Sequence, residues 1–177
     1  MKEVLLLSGA GQIGMAIARR IGYGKTVVIG DKALAHAQAV ARTMNQAGFD
    51  CAAAELDLSS RDSILSFLEA AQTRGPISGL INAAGVSPSQ ASVETILQVD
   101  LYGTAVLLEE AGKIISSGGA GVTISSQSGH RMPALTPEEV AGVAELLMGS
   151  RGAFITGADF LVDGGATASY FYGPLKP

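Results

Sequence analysis

Val4-Leu5-Leu6-Leu7-Ser8-Gly9-Ala10-Gly11-Gln12-Ile13-Gly14 sets a short apolar run directly against a G-x-G-x-x-G. The run over 4–7 has the length and character of a buried strand, and residues 11–22 carry Ile13, Ile17 and Ile21 at helical spacing. A strand thus passes into a helix through a turn of glycines. Such a turn needs torsions that glycine adopts cheaply, and missing side chains let backbone N–H groups approach a pyrophosphate. The helix N-terminus adds unpaired donors and partial positive charge. Gly9, Gly11, Gln12, Ile13 and Gly14 are therefore candidates to hold that anion. Taken alone, the motif also reads as a tight strand–helix connection.

The alternation continues outward from this start. Residues 26–29 predict a second strand, and Leu34, Ala37, Ala41 and Met44 give the next helix its stripe, stopped by Gly48. Residues 51–56 form a third strand, and Ser59 or Ser60 caps a helix that turns Ile64, Leu68 and Ala71 inward. A fourth strand over 79–83, a long helix over 93–115 and a fifth strand over 122–125 follow. Thr136-Pro137-Glu138-Glu139 is a capping box opening a helix through Val140, Val143, Ala144 and Leu147, and residues 160–162 are a last strand. Strands alternating with helices imply right-handed crossovers and a parallel sheet covered on both faces. The expected architecture is a three-layer α/β/α, doubly wound sheet in one domain spanning 1–177.

Composition supports one folded domain and removes several function classes. Apolar residues make up 47% and charged residues 16%, well below the ~25% typical of globular chains, which argues against disorder. The net charge of −4, with no basic run, argues against a nucleic-acid binder. Cys51 is the single cysteine, and His36 and His130 lie far apart, so neither a disulfide nor a metal cluster is expected. No apolar stretch approaches the ~18 residues of a membrane span, and 4–7 is too short for a signal-peptide core. A cytoplasmic protein with no membrane partner is the expectation.

Three further segments bear on chemistry. Asp31 follows the second strand, 17 residues beyond Gly14, where a carboxylate can bind both hydroxyls of a ribose; it also has a plainer reading as a helix cap. Facing a ribose, it selects the cofactor. A carboxylate some 4 Å from a 2′-phosphate costs about 4 kcal/mol at an effective dielectric of 20, which favours NAD over NADP, with Lys32 offsetting part of it. Asp57-Leu58 closes the third strand where an adenine would lie, or caps the next helix with Ser59 or Ser60. Asn82-Ala83-Ala84-Gly85 closes the fourth, its small residues admitting a ribose and nicotinamide, or merely ending a strand.

With these segments in order, the sequence resembles the short-chain dehydrogenase/reductase family. The resemblance rests on Ser8 through Gly14, Asp31, Asp57-Leu58, Asn82-Ala83-Ala84-Gly85, Ile124-Ser125-Ser126 and Thr156-Gly157 through Val162-Asp163-Gly164-Gly165. It implies a Rossmann-like sheet and an NAD(P)-dependent oxidoreductase interconverting a secondary alcohol and a ketone, in a homodimer or homotetramer; Asp31 narrows the expected cofactor to NAD. It also assigns Ser126 to the substrate oxygen and matches Asp100 to the asparagine of the family's proton relay.

The departures from that pattern are chemical. The family's Tyr-x-x-x-Lys follows the serine by about a dozen residues; here that position reads Glu138, Glu139, Val140. A phenol with pKa near 10 needs a neighbouring ammonium to act as a base at neutral pH, and losing a positioned acid/base forfeits roughly 10²–10⁴ in rate. The family's helix and sixth strand between the fifth strand and the Thr136-capped helix are also absent, which places a suspected internal omission near 133–140. Such a loss would expose the apolar face of the 93–115 helix and leave a bare sheet edge. The alternative function is a catalytically silent dinucleotide-binding or scaffold protein.

Overall fold

Leu5 and Leu7 face one side of the first strand and Val4 and Leu6 the other, and all four are buried. That double burial dictates the architecture, because a strand apolar on both faces needs a covering layer on each. A computed structural model describes residues 1–125 and 137–149 of the chain. The strands are β1 (Val4–Ser8), β2 (Thr26–Asp31), β3 (Asp50–Glu55), β4 (Ile77–Asn82) and β5 (Ile115–Thr123). They form a five-stranded sheet in the order β3-β2-β1-β4-β5, with every pairing parallel. This is the expected Rossmann-like doubly wound sheet.

The helices α1 (Gln12–Ile21), α2 (Leu34–Gln46) and α3 (Arg61–Gln72) connect the first four strands. Ile17 of α1 and Ala37, Ala41 and Met44 of α2 bury against Leu5, Leu7, Val27, Ile29 and Ile81 on one face of the sheet. Ile64, Phe67 and Leu68 of α3 meet Leu6, Val28 and Leu80 on the other. Local signals hold where expected. Ser60 is the N-cap of α3 and accepts from the Ser63 amide at 3.3 Å, and Gly48, at φ +90°, follows the end of α2.

The single helix expected over 93–115 is divided. It runs as α4 (Val93–Ile96), a π-helical segment (Leu97–Gly103) and α5 (Thr104–Gly112). Ile115 belongs instead to β5, which begins well before the expected residue 122. Its early residues, Ser116 through Gly121, carry no strand-like side-chain pattern and are recruited by backbone pairing to β4. The ladder is irregular there: Ile77 pairs with Ile115 and Gly79 with Ala120, and Gly118 sits at φ +82° in the excursion between.

The helix α6 (Pro137–Met148) begins at the expected proline and lies beside α1, where Arg20 pairs with Glu145 at 3.0 Å. Ala141 and Ala144 join the core on that face. Among the described residues β5 has β4 as its only neighbour. Val93, Leu97, Leu101 and Leu108 are exposed, Leu101 to 66%. The expected strand over 160–162, the Thr136 cap, and the tail Tyr170-Phe171-Tyr172 lie outside the described residues.

Candidate dinucleotide site

The carboxyl ends of β1, β2 and β4 converge at one edge of the sheet. Chain connections leave β1 and β4 in opposite directions here, which makes this edge the switch point at which open α/β sheets ordinarily bind ligands. The three glycines of the first turn do different work. Gly9 is held at φ +89°, and a Cβ there would come within 2.6 Å of the Ala84 nitrogen. A Cβ on Gly14 would meet Leu7 at 2.7 Å and the Gly9 carbonyl at 2.8 Å. The protein's own packing therefore requires both.

Gly11 differs. Its φ of −75° suits any residue, and among the described residues a Cβ there meets nothing within 4 Å. Neither torsion nor internal packing calls for glycine, so the missing side chain leaves space open to a ligand. Gly11 is also the N-cap of α1, with no side-chain cap bond and no acid in the first turn. The amides of Gln12, Ile13 and Gly14 have no acceptor among the described residues. An anion there would meet free donors at the positive end of the helix.

Asp31 joins this turn to the end of β2. Its Oδ2 accepts from the Ala10 amide at 3.1 Å and lies 3.3 Å from His36 Nδ1, while Oδ1 accepts from the Ala33 amide at 2.9 Å. The residue is not the N-cap of α2, a position taken by Ala33 without a side-chain bond. Asp57 accepts from the Ser59 amide and hydroxyl at 2.9 and 2.6 Å and from Lys32 Nζ at 2.9 Å. Partial burial opposes its charge, but the Ser59 and Lys32 bonds prevail and hold its carboxyl below the usual range. Leu58 is buried in the core beneath the π-helical segment, so its backbone alone can serve a ligand.

The β4 end is built from backbone and the polar side chains of Asn82, Thr104 and Asp100. The Ala83 amide donates to the Ser8 carbonyl, and Asn82 Nδ2 donates to Thr104 Oγ1 at 3.3 Å. Asp100, inside the π-helical segment, accepts from the Val86 amide at 3.0 Å, and a Cβ on Gly85 would lie 3.4 Å from its Oδ1. Asp100 thus fixes the turn that follows Ala84. Ser8 Oγ and Asn82 Oδ1, register partners on adjacent strands, are buried without a partner among the described residues. Open space at Gly11, unclaimed amides and two orphaned polar atoms along one edge fit a dinucleotide.

Sequence reasoning missed two members of this edge. His36, in the first turn of α2, carried no signal beyond its nearness to Asp31, and the Lys32–Asp57 pair joins the segments that follow β2 and β3. Ser126 and His130 lie outside the described residues. The four-residue interval of Tyr-x-x-x-Lys does occur once, at Tyr172 and Lys176. It lies 46 residues beyond Ser126 rather than about a dozen, so it does not match the family's pair. Among the described residues no group of three His, Cys, Asp or Glu could hold a metal ion, and no helix is long and apolar enough to cross a membrane.

Comparison with known proteins converges on one family. The sequence model described as short chain dehydrogenase matches residues 2–137. The short-chain dehydrogenase/reductase bsc3 of Alternaria brassicicola is 40% identical over 139 residues, covering 78% of this chain and 51% of that protein. A cis-4-hydroxycyclohexanecarboxylate dehydrogenase of Sinomonas cyclohexanicum is 29% identical over 138 residues, covering 72% and 55%. The chain thus spans about half the length of these relatives. The short-chain dehydrogenase/reductase of Serratia marcescens superposes with a TM-score of 0.79 at 20% identity, over 93% of this chain and 98% of that one. A metagenomic short-chain oxidoreductase in complex with NADP superposes at 0.68 with 22% identity, over 91% and 94%. Sequence match, strand order and glycine turn agree: the chain belongs to the short-chain dehydrogenase/reductase family.

Proposed function

We propose that this protein is an NAD-dependent oxidoreductase that interconverts a secondary alcohol and a ketone. The observation that carries the reading is the Asp31 carboxylate, bonded to the Ala10 amide beside the open space at Gly11. The amides of residues 12–14 hold the diphosphate, Asp31 binds the adenosine ribose and repels a 2′-phosphate, and Asp57 and the backbone of Leu58 border the adenine. Asn82, Ala83, Ala84 and Gly85, braced by Asp100, line the nicotinamide end. The bound cofactor supplies or accepts the hydride. Ser126 orients the substrate oxygen, a role that rests on the family resemblance.

The proton-transferring Tyr and Lys belong, in this reading, to a segment missing near 133–140. Three observations support it: the family match stops at residue 137, Leu101 and its neighbours are bare, and β5 lacks a second neighbour among the described residues. The complete protein is a cytoplasmic homodimer or homotetramer, in which those apolar positions are covered. The second reading, a silent dinucleotide-binding or scaffold protein, is favoured by Glu138, Glu139 and Val140 at the acid/base position.

Two measurements separate these readings. Turnover of simple alcohols, sugars or hydroxysteroids with NAD supports the oxidoreductase, whereas NAD binding without turnover supports the silent protein. An intact mass of 18.0 kDa for the natural gene product would show that no segment is missing.

A further inference from the structure

Asp31 has more donors than its proposed task allows. A carboxylate offers about four lone-pair positions. The Ala10 amide, the Ala33 amide and His36 Nδ1 take three of them. Two ribose hydroxyls need two. The backbone donors are fixed by the glycine turn and the start of α2, so His36 is the donor that can leave. Its side chain is 53% exposed, against 20% for Asp31, and it sits on the first turns of α2 where a rotamer change carries it into solvent.

From this crowding the geometry points to His36 as a second determinant of cofactor choice, a competitor for the ribose-binding carboxylate whose charge makes the NAD preference depend on pH. The inference rests on the dinucleotide reading above. Imidazole is the side chain whose charge ordinarily changes between pH 5 and 8. Neutral His36 yields readily to a hydroxyl. Protonated His36 holds Asp31 by a charge-assisted bond, which weakens NAD. The same positive charge offsets the repulsion between Asp31 and a 2′-phosphate, which strengthens NADP. Both effects act in one direction, so acidification narrows the discrimination.

The other charges at this edge are accounted for. Lys32 is paired with Asp57, and Glu55, the register partner of Asp31 on β3, is exposed and carries no ion pair among the described residues. Carboxyl and ammonium groups as classes keep their charge between about pH 5.5 and 8. The 2′-phosphate itself changes charge there, with a second ionisation near pH 6. A comparison with a variant lacking the imidazole removes that contribution.

Calorimetric titration with the acid-stable NAD⁺ and NADP⁺, at about pH 8 and about pH 5.5, tests the inference on the wild type and His36→Ala. Alanine favours helix, and His36 is exposed, so the variant keeps its fold. On acidification the wild-type ratio of the two dissociation constants should shrink about three- to tenfold more than that of His36→Ala. NAD⁺ affinity at low pH should also be higher in the variant. Equal shrinkage in both proteins would overturn the role of His36, as would a wild-type ratio that does not move. No heat with NAD⁺ in either protein would instead remove the dinucleotide reading itself.

Discussion

Replacing Gly11 and Gly9 separately by alanine distinguishes a glycine kept for a ligand from one kept for the fold. At Gly11 two small backbone effects oppose each other: alanine restricts the unfolded chain, which stabilises by up to about 1 kcal/mol, and is a poorer N-cap than glycine by a similar amount. With no atom of the described residues within 4 Å of the new methyl, stability should change by less than about 1 kcal/mol. Binding should suffer, because the methyl fills the space through which a diphosphate reaches the helix amides. Losing one or two charge-assisted bonds, at about 1.5–3 kcal/mol each, weakens the dinucleotide ten- to more than a hundredfold.

Gly9→Ala behaves in the opposite order. Alanine at φ +89° costs about 1–2 kcal/mol, and driving a Cβ against the Ala83–Ala84 backbone adds about 1–3 kcal/mol. The midpoint of thermal unfolding should fall by roughly 5–20 °C. Urea denaturation followed by circular dichroism, with fluorescence titration of NADH, reads both quantities. Wild-type NADH affinity in Gly11→Ala would refute the placement of the diphosphate. A stability loss in Gly11→Ala matching that in Gly9→Ala would refute the distinction between the two glycines.

Other consequences of the structure are checked more simply. Asp31→Ala should weaken NADH binding and narrow its advantage over NADPH, and an unchanged preference in parallel titrations would take Asp31 away from the ribose. Asp57 holds a lowered pKa, so its contribution to stability is full above the ordinary carboxylate range and is lost as pH falls through its depressed value. Asp57→Asn should therefore lose under about 1 kcal/mol at pH 7, and the difference from wild type should close toward pH 3 in denaturation curves. Burial, with the charge of Asp50 nearby, pushes the Cys51 thiol up to about 11. Its alkylation at pH 8 should be about a hundredfold slower than that of a free thiol, and equal rates would contradict that environment.

The elements whose signals are local were legible in the sequence. The β1–α1 turn, the Ser60 cap and Gly48 each follow from a few neighbouring residues and appear where expected. β5 was legible only at its end, because residues 116–121 offer glycine and serine rather than alternating apolar side chains and pair through backbone alone. The π-helical segment was hidden because Val93, Leu97 and Leu101 repeat at a spacing that also suits an α-helix. At the site, glycine positions and Asp31 were readable as candidates. Which glycine faces a ligand, and which donors already occupy Asp31, depend on atoms brought together from β2, β4 and α2.

The wide turn between Leu97 and Gly103 has an angular consequence. An α-helix advances about 100° per residue, so accommodating one surplus residue offsets everything before the bulge from everything after it. Deleting a single residue there would let the segment wind evenly from Val93 to Gly112 while swinging the upstream portion through more than a quarter of a circle. Thr104 would keep its grip on Asn82, but Asp100 would turn away from the Val86 amide. The bulge thus acts as a phase offset, allowing one continuous rod to touch β4 and the turn beyond it from two different directions.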